Sequence, residues 1–474
     1  MKGISTRFTN TWFLLVAVAV GLGYMFVIDN TYDTGDSLEH YEISRYSWKH
    51  SYLFFDNWGK PVFTFLSSPF TQFGWIGMKL FNTLTGIMTC FALAKIIQKL
   101  IPSVSPYWAL MLFCVPNWVL SLNSGLTEPL FACFLVSAVY FIVTDKPYLS
   151  ALLISFLPMV RNEGYIIMFV YACYFALKTD WKSIALLSAG TLIISVSGYM
   201  LLENNNDPLW IFHTTPYLSQ FVKYSHGGWE HYFIAYYYMT GIPVTILTIL
   251  SVVYFLYKKM RLGSVFKHPD VMLWLVFGVF IVYFTAHVVF WKFGLFNSFG
   301  MNRVLLSVIP LMILPIVLFI AQIQVYVSAK IHTIISVVLI GILVMFPYSG
   351  NKSGFILPQD FKQQADLQLF QRVVQELKQR DLKYDRLYVS APGFIWSLGA
   401  DQFSPVFKKM YAFENESDYS NSVIVYDNWY SNFEHNVSEN TIVEKIGKDK
   451  LLYTDQSEKG TIVKVYYVPA YQIK

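Results

Sequence analysis

Residues 32–61 read YDTGDSLEHYEISRYSWKHSYLFFDNWGKP. Asp33, Asp36, Glu39, His40, Glu42, Arg45, Lys49, His50, Asp56 and Lys60 all fall within them. On both sides of this stretch the chain is oily. Of its 474 residues, 55% are hydrophobic and 14% charged, with a mean hydropathy of +0.43. Soluble domains carry about 25% charged residues. Apolar runs near 20 residues long recur, so the chain reads as a polytopic membrane protein. A charged segment kept among such runs needs a reason.

Lys2 and Arg7 precede the first apolar run and place the N-terminus in the cytoplasm. Residues 12–28 lack a small-residue cleavage site and read as a retained span. Residues 29–73 then form the first extracytoplasmic loop. Further spans are expected at 75–97, 106–122 and 126–143, in a hairpin of 149–159 and 165–177, and at 184–202, 233–257, 271–291, 304–320 and 331–346. Lys95, Lys99, Lys178, Lys182, Lys258, Lys259, Arg261, Lys267 and Lys330 mark the inner turns. The expected fold class is an α-helical polytopic membrane protein of about 11 transmembrane helices in residues 1–347. Residues 348–474 turn polar and read as a small extracytoplasmic α/β domain. Helical periodicity covers 366–380, and strand patterns appear at 386–390, 423–426, 451–454 and 461–468.

Several function classes drop out. The net charge of +5 does not point to nucleic acid, because the basic residues sit at span ends and form no patch. Cys90, Cys114, Cys133 and Cys173 all lie in apolar segments, as small core residues do. No Walker loop or GxGxxG pattern occurs, so no nucleotide is assigned. His213, His226 and His231 match no compact zinc spacing. No metal and no tightly bound cofactor is expected; a loosely held divalent cation is compatible with the sequence.

If the segment after Gly35 is helical, Asp36, Glu39 and His40 share a face. Asp36 also suits a helix cap. A carboxylate beside an imidazole can take a proton from a hydroxyl, and Lys60 can offer a point charge to a phosphate. Tyr41 and Arg45 continue the neighbouring face. Glu128, between Thr127 and Pro129, fits the first turn of a helix. Arg161 and Glu163 bracket Asn162 in the middle of the hairpin. A charge at membrane depth costs roughly 2.5–3.5 kcal/mol on insertion scales, so it pairs or faces a cavity. In the second outer loop, which also holds Lys223, the rings of Tyr217 and Trp229 suit sugar stacking or an interfacial belt. Arg303, outward in a loop otherwise poor in positive charge, suits interfacial snorkelling. His287 reads as a packing histidine.

Asp36, Tyr41, Arg45 and the turn Trp58-Gly59-Lys60-Pro61 before the next span resemble the polyprenyl-phosphate-dependent GT-C glycosyltransferases. These include protein O-mannosyltransferases, lipid A aminoarabinose transferases and bacterial mannosyltransferase relatives. TEPLF at 127–131, Arg161–Gly164 and the segment from His287 through Arg303 to Pro310 extend the likeness. The resemblance covers residues up to about 347 and not the C-terminal domain. It implies that Asp36 is the general base, that Lys60 contacts the donor phosphate, and that Arg303 meets it too. The chain departs from the family's usual acidic pair: Ser37 follows Asp36, and the second acid is displaced to Glu39. The base therefore stays open among Asp36, Asp33 and Glu39.

The expected function is inverting transfer of a sugar, mannose-like or related, from a polyprenyl-phosphate donor to a hydroxyl of a glycan, lipid or protein acceptor. Lys60, Arg161 and Arg303 are the expected phosphate contacts. Asp36, Glu39 and His40 are the expected chemical groups, with Asp33, Tyr41, Arg45, Glu128, Glu163 and Trp229 in support. The expected setting is a bacterial-type plasma membrane, with the C-terminal domain outside. The rival readings are a secondary transporter, for which repeated halves are not seen, and a non-catalytic polysaccharide-assembly or ligase-like protein.

Overall fold

Apolar runs become helices because the hydrocarbon core offers no water, and each backbone group must be satisfied within its own segment. A computed structural model describes residues 2–202, 206–214, 226–261 and 270–470, without the side chains of 2–9 and 259–261. The expectations for Tyr217, Lys223 and Lys267, and for the side chains of Lys2, Arg7, Lys259 and Arg261, lie outside the described residues. Among the described residues, six helices are long and apolar enough to cross a membrane: Asn10–Val27, Trp75–Leu100, Trp181–Leu201, Met272–Phe293, Ile309–Tyr326 and Ala329–Tyr348. His231–Thr240 and Ile242–Lys258 make a seventh if taken as one span bent by 118°. The bend falls at Gly241, whose φ of +78° suits glycine.

The sequence count of about eleven also included shorter apolar helices. Glu128–Val143, Pro147–Met159 and Gly164–Leu177 are present at 10–17 residues. The run at 106–122 is broken instead, into a 3₁₀ stretch, Pro106–Cys114, and a short α-helix, Pro116–Leu122. Pro116 lacks the N–H that would continue the first piece and starts the second at its first position.

The first outer loop is mostly helical. It contains Asp36–Tyr46, a 3₁₀ turn Ser51–Phe55, and Pro61–Thr71. The last of these buries Val62, Phe63, Thr64 and Ser67 while Phe65 stays exposed. The helix at 36 is held close to the loop before Glu128. A Cβ on Gly125 would lie 2.0 Å from the Ser37 carbonyl oxygen, so only glycine permits this approach. The Gly125 N–H donates to Ser37 Oγ at 2.8 Å.

The C-terminal domain carries a five-stranded sheet. Its strands are β1 (Arg386–Tyr388), β2 (Phe407–Lys408), β3 (Ser422–Asp427), β4 (Leu451–Gln456) and β5 (Ile462–Val468), in the order β2-β1-β3-β5-β4. The first three run parallel, and β5 is antiparallel to both β3 and β4. Helix Ala365–Gln379 buries Leu369, Phe370, Val373 and Val374 in the same core as Val423 and Val425. Four of these strands follow the sequence patterns; β2, with two residues, is too short to leave one.

The domain is stitched to the start of the first loop. Asp29 N–H donates to the Phe361 carbonyl at 2.7 Å, and Asn30 Nδ2 to the Asp360 carbonyl at 2.9 Å. Gln364 Nε2 donates to Asn30 Oδ1 at 2.8 Å. Helix Pro392–Leu398 packs on Asp36–Tyr46, with Trp396 lying 6.0 Å from Trp75, ring to ring. The polar domain thus closes over the charged loop.

Candidate active site

Between the membrane helices and the C-terminal domain lies a cavity of about 1210 Å³. Asp33, Asp36, Glu39, His40, Lys60, Glu128, Arg161, Glu163 and Arg303 all line it. Residues scattered over 270 positions of sequence therefore meet in one place.

The helix at 36 starts without a side-chain cap of its own. Asp33 supplies one from outside, accepting from Gly35 N–H at 3.0 Å and Ser37 N–H at 2.9 Å. This releases Asp36 from capping. Both carboxylates meet Arg303, which donates from Nη1 to Asp33 Oδ2 and from Nη2 to Asp36 Oδ2. Behind them sits Glu128, fully buried at the start of its helix. Its Oε1 lies 2.8 Å from Arg161 Nη1 and 3.5 Å from Arg303 Nε. Arg161 Nη2 also bonds Glu163 Oε1 at 2.8 Å, and His287 Nε2 stands 3.8 Å from that oxygen. The pair within the hairpin exists, but it is part of a larger network that faces the cavity.

Environment divides the carboxylates. Burial pushes Asp36 up, but Arg303, His40 and Arg161 outweigh it and hold it below the usual carboxylate range. Burial pushes Asp33 up, Arg303 offsets this only in part, and Asp36 adds repulsion, so Asp33 is raised. Of the pair, Asp33 takes a proton first and Asp36 stays ionised at neutral pH. Burial also lowers His40. Its Nδ1 lies 3.1 Å from the Gly125 carbonyl, which can only accept, so Nδ1 carries the hydrogen. Neutral His40 then keeps a lone pair on Nε2.

Lys60 occupies the left-handed region at φ +64° immediately before Pro61. A non-glycine residue rarely sits there, and strain of this kind gathers at functional sites. Its Nζ donates to Asn162 Oδ1 at 2.9 Å. Burial lowers it to about 8, despite the opposing pull of Glu163.

The C-terminal domain adds groups that its sequence did not announce. Gln402 Nε2 donates to Glu39 Oε2 at 3.3 Å, and Lys409 Nζ lies 3.7 Å from Glu39 Oε1. Asp401 Oδ2 is shared by Lys49 Nζ at 2.7 Å and His50 Nε2 at 2.9 Å. Lys409, Tyr411, Trp429 and Tyr430 line the cavity wall. Asn162 and His287 also line it: Asn162, uncharged between Arg161 and Glu163, carries no sequence signal of its own, and His287 faces the cavity as well as packing among helices. Three of the sequence candidates stand elsewhere. Tyr41 is buried edge-on against Trp75 at 5.3 Å and accepts from Arg45 Nη1 at 2.9 Å. Trp229 packs edge-on against Phe293, with Lys292 Nζ 5.9 Å above its ring. None of these three lines the cavity.

No protein-family model and no curated protein sequence matches the chain. Solved structures do. ArnT from Cupriavidus metallidurans bound to undecaprenyl phosphate aligns with a TM-score of 0.63 at 13% identity, over 96% of this chain and 97% of that one. The same protein in the apo state gives 0.62 at 11% identity, over 98% of each. The Archaeoglobus fulgidus oligosaccharyltransferase in the apo form gives 0.52 at 11% identity, over 97% of this chain and 75% of that one. The chain is a helical membrane protein with a small sheet domain, and it shares its overall fold with these structures. The expected helical membrane part and small C-terminal α/β domain are observed, while six or seven described helices, and not about eleven, are long and apolar enough to cross a membrane.

Proposed function

We propose that the protein is a glycosyltransferase that takes a sugar from a polyprenyl-phosphate donor and passes it to an acceptor hydroxyl on the outer side of the membrane, with inversion. One observation carries the reading. Arg303 holds two carboxylates of unequal basicity inside a cavity that also presents Lys60 and Arg161. Carboxylates pushed apart in this way mark an acid–base site, and the neighbouring cations suit a phosphate leaving group. The fold shared with ArnT, solved with undecaprenyl phosphate bound, supports a lipid-linked donor.

In this reading the acceptor O–H gives its proton to Asp36. The oxygen forms a bond to the anomeric carbon from the face opposite the donor phosphate. The anomeric C–O bond breaks, and its electron pair leaves on the polyprenyl phosphate, whose charge Lys60 and Arg161 offset. Arg303 orients Asp36 and meets the phosphate as it departs. Glu128 fixes Arg161 and Arg303. No cofactor takes part in this scheme, and a mannose-like hexose is the sugar class proposed. The N-terminus is cytoplasmic and the C-terminal domain extracytoplasmic.

The test is to incubate the purified protein with a panel of polyprenyl-phosphate sugars and follow release of polyprenyl phosphate. Release from at least one donor, with an inverted anomeric centre in the product, is expected. Inertness towards the whole panel contradicts the proposal.

A further inference from the structure

The residues after β3 read Asp427-Asn428-Trp429-Tyr430-Ser431. Asp427 is fully buried and accepts from the N–H of Trp429 at 3.0 Å and of Tyr430 at 2.5 Å. Ser431 Oγ donates to its other oxygen at 3.0 Å. One carboxylate therefore fixes the turn that presents the two aromatics to the cavity.

The two rings do different things. A Cβ built on Gly35 would lie 2.8 Å from the Tyr430 hydroxyl, so this phenol abuts the backbone one residue before Asp36. Trp429 remains 40% exposed. Its ring stacks on Phe433 at 4.9 Å with 24° between planes, and Phe299 of the membrane part meets it edge-on at 6.0 Å. Beside it, Tyr411 is 59% exposed and its ring lies 5.4 Å from that of His435. Trp429 belongs to the sheet domain and to no membrane span, so an interfacial belt does not account for it.

We propose that Trp429, backed by Phe433 and flanked by Tyr411 and His435, is the acceptor subsite, and that the acceptor it takes is a carbohydrate. A sugar ring lays its apolar C–H face on an indole while its hydroxyls reach polar groups at the rim. His435, Glu434 and Lys409 stand on this same wall of the cavity. Tyr430, next in the chain to Trp429, abuts the backbone just before the helix that carries Asp36, and Trp429 and Asp36 line the same cavity. A peptide fits this wall less well. β2, the edge strand leading to Lys409, has only two residues and offers no ladder for an extended chain.

The inference rests on the transferase reading, and its test separates the two. Wild type, Trp429→Ala, Trp429→Phe and Tyr411→Ala are titrated with mannotriose, maltotriose and chitotriose in the absence of donor, with binding read by ligand-observed NMR. Acceptor and donor KM are then measured with the best binder. Trp429→Ala is expected to weaken glycan binding and raise the acceptor KM about tenfold, leaving the donor KM unchanged. Trp429→Phe keeps a ring and retains most of the affinity. Tyr411→Ala, at an exposed position, weakens binding without disturbing the fold. Trp429-dependent glycan binding in a protein that transfers nothing supports the subsite and overturns the transferase reading. Equal glycan affinity in wild type and Trp429→Ala overturns the subsite. Failure of wild type to bind any of the three glycans, or Trp429-dependent binding of a serine/threonine peptide in their place, also overturns it.

Discussion

Arg303 grips Asp36 through one amino group and Asp33 through the other. These residues come from opposite ends of the membrane part, and their meeting converts a charged loop into a site. Removing the guanidinium leaves Asp33, Asp36 and Glu128 close together without it. Arg303→Ala is expected to lower transfer at least about 100-fold and to lower the apparent Tm. Arg303→Lys keeps the charge but loses the planar fork whose separate nitrogens reach Asp33 and Asp36. It should restore Tm more than rate, as paired activity and melting assays will show. Wild-type activity in Arg303→Lys would remove the bridging role.

Glu128 is buried between two arginines. Taking away one partner of a buried ion network costs about 3–5 kcal/mol, so Glu128→Gln should melt well below wild type. Combining it with Arg161→Gln should cost less than the sum of the single changes, because the residues touch. Additive losses in a double-mutant cycle would show that the network is not coupled.

Lys60 loses its charge as pH rises through about 8. If its ammonium offsets the leaving phosphate, the transfer rate falls on the alkaline side with a midpoint there. Lys60→Arg, charged throughout, should flatten that limb while lowering the plateau. An identical alkaline limb in Lys60→Arg would assign the pH dependence to another group.

Glu42 lies behind the site with 1% exposure, and its Oε2 has no hydrogen-bond partner. Burial raises it to about 8. In the unfolded chain it ionises near about 4.3. Between these values the folded state holds a proton that the unfolded state has lost, so stability falls as pH rises across this window. Glu42→Gln should therefore raise the apparent Tm at pH 7.5. Its advantage should shrink towards pH 4.5. A Tm difference independent of pH would show that the carboxyl is already ionised in the fold.

The fold was legible because its signals are local. Apolar length marks the helices, and the displaced acids and Trp58–Pro61 mark the first loop. The cavity-lining charges were legible because an ionisable side chain between spans must pair or face a cavity, as Arg161 and Arg303 do. The number of membrane crossings was harder to read: a run such as 106–122 is long enough on paper yet breaks at Pro116. Asp33 competes with Asp36 for the cap, and only geometry shows that Asp33 wins. Tyr41 and Arg45 share their helix with Asp36 but project to another side, which spacing alone did not decide. Trp429, Tyr411 and Lys409 left no signal, because the docking of a separate domain brings them to the cavity.

The most direct measurement is transfer from a polyprenyl-phosphate sugar by Asp36→Asn, compared with wild type and Asp33→Asn. The amide keeps the shape and an oxygen for Arg303 but cannot take the acceptor proton. Asp36→Asn is expected to melt close to wild type and to lose transfer by about 100-fold or more, while Asp33→Asn keeps the larger residual rate. Transfer by Asp36→Asn at the wild-type rate would contradict the account.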